Sequence, residues 1–152
     1  MDFTSRILNT EFLAKAESLH DLRRCLRDTL FKIELSSKQV DPLILAVSEA
    51  CANIIEHGYD PNPDPNPDPD PDNTEKIILE VFFNDNEITF QLTDFAKPID
   101  PTTVGQRDLD DIRPKGLGIH FMREIMDEVT FSSNLEFCGN ILTMKKQFEE
   151  KP

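Results

Sequence analysis

Residues 46–59 read Ala46-Val47-Ser48-Glu49-Ala50-Cys51-Ala52-Asn53-Ile54-Ile55-Glu56-His57-Gly58-Tyr59. Apolar side chains recur every three or four positions, and Leu43 and Ile44 extend the pattern upstream, so this is an amphipathic helix with most of its circumference buried. Asp41-Pro42 is a start signal, an N-cap acid before a proline whose missing N–H costs nothing at the first helical position, and Ser36 with Gln39 offers a capping turn further upstream. Gly58 is the stop. The pattern therefore predicts a helix over about 42–57. Along it, Glu49, Asn53 and His57 fall at i, i+4 and i+8, with Glu56 beside them. Polar groups on a buried helix need partners, because burial without them is costly. Two readings fit: a solvated stripe, or a site in which Asn53 offers a carbonyl oxygen to Mg²⁺ and Glu49 acts as general base toward a hydroxyl.

Upstream, 4–8 forms a short strand, and Phe12, Leu19, Leu22, Leu26 and Leu30 set the face of a first helix over about 11–31. Downstream, 61–72 alternates proline with Asp and Asn and holds six of the eleven prolines, so the stretch at about 60–74 is expected to be a disordered, solvated insertion. The period then changes to two. Lys76 to Phe83 and Glu87 to Thr93 are strands, joined by the turn residues Asn84-Asp85-Asn86 into a hairpin. Residues 94–116 read as a long loop, and a structureless loop of that length in a compact domain is usually either disordered or functional. A third helix over about 117–127, a strand over 129–133, a turn at Phe137-Cys138-Gly139 and a last strand over 140–148 complete the chain. The order of elements, with strands grouped in hairpins, indicates an α+β two-layer sandwich: a mostly antiparallel sheet covered on one face by helices.

At 152 residues, one domain spanning 1–152 is expected. The formal charge of −13 argues against a nucleic-acid partner and against attraction to an anionic membrane surface. Five aspartates of the proline-rich stretch carry part of that charge, and the remainder is still acidic. No apolar run reaches the roughly 18 residues that span a bilayer, and the start of the chain lacks the pattern of a secretion signal, so the expected location is the cytoplasm. Three widely spaced cysteines, Cys25, Cys51 and Cys138, fit reduced thiols in that compartment.

Two further stretches carry chemistry. Lys115-Gly116-Leu117-Gly118-Ile119 opens the third helix, where glycines let backbone N–H groups approach a phosphate and the helix dipole favours an anion; it is neither a Walker A loop nor a Rossmann fingerprint. Asp94, in Leu92-Thr93-Asp94-Phe95-Ala96-Lys97-Pro98, stands at a strand end, where an acid either accepts from a base such as the adenine amino group or simply forms a turn.

In order, Glu49-(x3)-Asn53, Asp94 after a hairpin strand, a loop, and Gly116-Leu117-Gly118 resemble the N, G1 and G2 boxes of the GHKL ATPase superfamily. Residues 46–59 and 116–129 are similar to its anti-sigma-factor serine/threonine kinase branch. The resemblance implies a Bergerat-type fold with a mixed, mostly antiparallel sheet, and it implies ATP with Mg²⁺. It makes Glu49 the catalytic base, Asn53 the Mg²⁺ ligand through the phosphates and Asp94 the adenine reader. Gly116, Leu117 and Gly118 become the phosphate cradle and 99–116 a lid in which Arg107, Arg113 or Lys115 supplies positive charge. His57, Ala96, Pro98 and Thr143 complete the implied nucleotide-binding set. Implied partners are an anti-sigma antagonist of the STAS type as protein substrate, a sigma factor, and a second copy of the chain. Two departures stand out: Ala96 replaces the G1 glycine, and the proline-aspartate insertion follows the second helix. The alternative to a kinase is a non-catalytic, nucleotide-responsive anti-sigma or adaptor module, which Ala96 favours. A histidine-kinase ATPase module is disfavoured because no helix pair bearing a phosphoacceptor histidine precedes it.

Overall fold

A computed structural model describes residues 4–58, 75–95, 122–134 and 139–148. The elements are β1 (Ser5–Leu13), α1 (Ser18–Lys32), α2 (Ser37–Asn53) continued by a π-turn (Ile54–Gly58), β2 (Lys76–Phe83), β3 (Glu87–Asp94), β4 (Glu128–Asn134) and β5 (Gly139–Gln147). One helical turn at 122–125 precedes β4. The strands form one five-stranded sheet in the order β1-β2-β3-β5-β4. Every pairing among the described strands is antiparallel, so this part of the sheet is not mixed. The expected α+β sandwich is the observed fold.

Strict alternation builds the sheet. Ile77, Leu79 and Val81 of β2 and Ile88, Phe90 and Leu92 of β3 are fully buried, while the residues between them are half-exposed. Because side chains on a strand point to opposite faces in turn, one face carries the core and the other meets solvent. The core continues into the helices through Leu22, Leu26 and Leu30 of α1 and Val40, Leu43, Val47 and Ala50 of α2. Met122 and Met126 close it from the turn before β4.

Three element boundaries differ from the sequence reading, each for a local reason. The first strand runs to Leu13, because Phe12 and Thr10 pair with Ile77 and Leu79; Phe12 therefore faces the core from a strand, not from the first helix. A bulge between Arg6 and Leu8 breaks the alternation there and blurs the strand in the sequence. The second helix begins at Ser37. Ser36 accepts from the Gln39 backbone and the Gln39 side chain accepts from the Ser36 N–H, a reciprocal capping box that prevails over Asp41-Pro42 and leaves Pro42 inside the helix. The third helical segment ends by 125, since the Asp127 N–H already donates to Lys145 of β5. The proline-aspartate stretch and Phe137-Cys138 lie outside the described residues.

Candidate functional site

Helix α2 supplies the first half of the site. Its buried side faces the sheet, and Glu49 and Asn53 follow one another at the margin of that side, one turn apart. Glu49 is half-buried, Asn53 is only 8 % exposed, and Glu56 is exposed. The Asn53 Nδ2 has no hydrogen-bond partner among the described residues. A buried amide donor left unsatisfied costs about 1–3 kcal/mol, so a native chain that keeps one has a use for it. The helix widens into the π-turn immediately after Asn53, a feature frequent at functional sites. That turn directs both Ile54 and Ile55 toward the core. The backbone of His57 lies in it.

Asp94 is the second half. It ends β3 on the same face as Leu92 and Phe90, toward the helices, and is 4 % exposed. A buried carboxylate needs donors, and the facing strand provides one: Asn140 of β5 stands opposite Asp94, is 2 % exposed, and donates from Nδ2 to Asp94 Oδ1 at 3.0 Å. Gly139 lets the strands meet so closely. A Cβ there would collide with the Asp94 carbonyl oxygen and lie 3.1 Å from its carbonyl carbon and 3.2 Å from the Phe95 Cα. Neither Gly139 nor Asn140 stands out in the sequence as a site residue, because the register that sets them against Asp94 is a tertiary fact; the glycine after a turn is the only trace.

The same register corrects one assignment. Thr143 stands opposite Gln91 and Thr130, one position out of phase with Asn140, Leu142 and Met144, so it faces the solvent side of the sheet and not the side of Asp94. Asn140 holds the place beside the acid instead. Ala96, Pro98, Arg107, Arg113, Lys115, Gly116, Leu117 and Gly118 lie outside the described residues.

The donors suit a nucleotide-borne Mg²⁺. Among the described residues no group of three or more His, Cys, Asp or Glu could cage a metal, whereas an amide oxygen can complete the shell of an ion already carried by phosphates. The Asn53 amide has the chemistry for such a site, an oxygen that could serve a metal and an unsatisfied N–H that could serve a phosphate oxygen.

A family model described as the histidine kinase-like ATPase domain matches residues 12–146. The chain belongs to this family. Among curated relatives of this histidine kinase-like ATPase domain is the serine-protein kinase RsbW of Bacillus licheniformis, 28 % identical over 116 residues, covering 76 % of this chain and 71 % of the relative. The serine-protein kinase RsbW of Halalkalibacterium halodurans is 23 % identical over 133 residues, covering 88 % and 78 %. A crystal structure of the RsbU and RsbW domains of a Mycobacterium tuberculosis protein superposes with a TM-score of 0.61 at 14 % identity, covering 95 % of this chain and 33 % of that one. This last likeness carries the fold alone, and the chain spans about a third of that protein. No helix among the described residues is long and apolar enough to cross a membrane.

Proposed function

We propose that this histidine kinase-like ATPase domain is an ATP-dependent serine/threonine protein kinase of the anti-sigma-factor type. Its substrate is a STAS-type antagonist, and its regulatory target is a sigma factor. The observation that carries the reading is the Asn53 amide, buried on the α2 helix with its Nδ2 unsatisfied, one turn beyond Glu49. Names of the relatives, serine-protein kinases, support the same direction.

The chemistry follows from the residues. Mg²⁺, when bound with ATP, screens the charge of the phosphates and of the transition state. Asn53 would hold the metal–phosphate unit from the helix side, and Asp94, hydrogen-bonded by Asn140, would accept from the adenine amino group. Gly116 and Gly118 offer backbone N–H groups to the phosphates. Glu49 takes the proton of the substrate hydroxyl as its oxygen bonds to the γ-phosphorus and the β–γ bridging bond breaks, releasing ADP. Little covalent work falls to the protein, so most of the acceleration comes from positioning and electrostatics. In this reading the protein acts in the cytoplasm as a homodimer and regulates transcription through its partner.

Incubation with γ-labelled ATP, Mg²⁺ and a STAS-domain protein tests it. Label passes to a serine or threonine of the partner with the native chain. Glu49→Ala abolishes the transfer, a loss of at least about a hundredfold for a missing general base, and largely preserves nucleotide binding. Transfer at the native rate by that variant defeats the role given to Glu49.

A further inference from the structure

From Leu43 to Asn53 the α2 helix buries eight of its eleven residues, and the three that solvent reaches are Leu45, Glu49 and Ala52. They fall at i, i+4 and i+7, so they form one line along the outer side of the helix. A helix face that only meets water carries polar side chains. This one sets a leucine and an alanine on either side of its single acid. Leu45 is 42 % exposed and takes no part in the core, and among the described residues only Leu13 and Phe31 are large apolar side chains left as open. Charge bounds the line at both ends: Asp41, one turn before Leu45, pairs with Arg27 of α1 at 3.9 Å, and the exposed Glu56 follows Ala52. An apolar centre within a charged rim is the layout of a surface that another protein covers.

We infer that Leu45 is a substrate-docking residue, which seats an apolar side chain of the protein substrate beside the hydroxyl that Glu49 deprotonates. The inference rests on the reading of Glu49 as general base. A base must come within hydrogen-bond reach of the hydroxyl it serves, so the substrate lies over Glu49 and covers its neighbours one turn away on the same line. What covers Leu45 is therefore the segment that carries the target serine or threonine. Side chains one turn apart on a helix stand about 6 Å from each other, roughly the span of two residues of extended chain, which puts the complementary apolar residue next but one to the hydroxyl in an extended segment. A charged residue at that place would lose water against the leucine methyl groups and gain no partner from them. Leu45 thus selects among hydroxyl-bearing segments without contributing to nucleotide binding.

Three variants separate docking from exposure as such. Leu45→Gln keeps a straight side chain that suits a helix and makes its end polar, while Leu45→Met keeps the end apolar. Leu13→Gln makes the same exchange at a leucine 44 % exposed on the solvent face of the sheet, out of phase with Phe12. At such exposed positions these exchanges change stability little, which thermal unfolding checks. Steady-state transfer from γ-labelled Mg²⁺-ATP to the STAS-domain protein is measured on the full chain, with each substrate varied in turn. Leu45→Gln raises KM for the protein substrate about tenfold or more and leaves KM for Mg²⁺-ATP at its native value. Leu45→Met and Leu13→Gln keep both values native. A native KM for the protein substrate in Leu45→Gln, an equal rise in Leu13→Gln, or a matching rise in KM for Mg²⁺-ATP overturns the inference and leaves the kinase reading standing. Absence of transfer by the native chain overturns the kinase reading first, and this inference with it.

Discussion

At the scale of single residues, Asn53 and Cys51 show how differently two buried side chains of one helix behave. The Asn53 amide is kept at a cost, so Asn53→Leu is expected to raise the stability of the ligand-free protein by about 1 kcal/mol while removing any stabilisation by Mg²⁺-ATP. Urea unfolding with and without nucleotide reads both effects, and a less stable variant that still responds to Mg²⁺-ATP contradicts the assignment. Cys51 is fully buried, and desolvation pushes its thiol up from 9.0 to about 12. Between those values the unfolded chain has lost the proton and the folded chain still holds it. The contribution of the thiol is therefore complete below pH 9 and is lost as pH rises toward 12, by up to about 1.4 kcal/mol per pH unit. Unfolding free energies measured from pH 9 to 10.5 should fall more steeply for the native chain than for Cys51→Ala; equal slopes would show that the thiol is not the source.

The elements were legible in the sequence wherever periodicity and turn chemistry agreed. The β2–β3 hairpin is an example: Asn84 Oδ1 accepts from the Asn86 and Glu87 N–H groups in the turn read from Asn84-Asp85-Asn86. They were less legible where two local signals competed. At the start of α2 an acid followed by proline lost to the Ser36 and Gln39 capping box, whose two reciprocal bonds satisfy end groups that Asp41 alone would leave open. Ser36→Ala should cost about 1 kcal/mol, seen as a lower urea midpoint with unchanged slope. Glu34, at φ 65° just past α1, sits in the left-handed region without being glycine, so Glu34→Gly should stabilise by about 0.5 kcal/mol in the same assay. The least legible part of the site was the β3–β5 crossing. Asp94 is recognisable as a strand-end acid, but the partnership with Gly139 and Asn140 depends on a pairing across more than forty positions of chain, and Thr143, three residues beyond Asn140, falls on the opposite face.

For the whole molecule, a sheet with one dry face and one wet face turns Asp94 and Asn140 to the side on which the core and the helices pack. The α2 helix carries Glu49 and Asn53, and β3 with β5 carries Asp94 and Asn140. The solvent face is occupied by charge pairs such as Lys76–Glu11 at 2.9 Å and Arg6–Glu80 at 3.2 Å, which keep the β1 side of the sheet polar. Such exposed pairs contribute little to stability, so the fold depends on the core and the site depends on what the core orients. The central claim is that this layer binds Mg²⁺-ATP. Thermal or urea unfolding of the native chain with Mg²⁺-ATP at a hundred times its dissociation constant should show about 2.7 kcal/mol of added stability, with EDTA reducing the gain. Unchanged unfolding at any concentration of Mg²⁺-ATP would contradict the account.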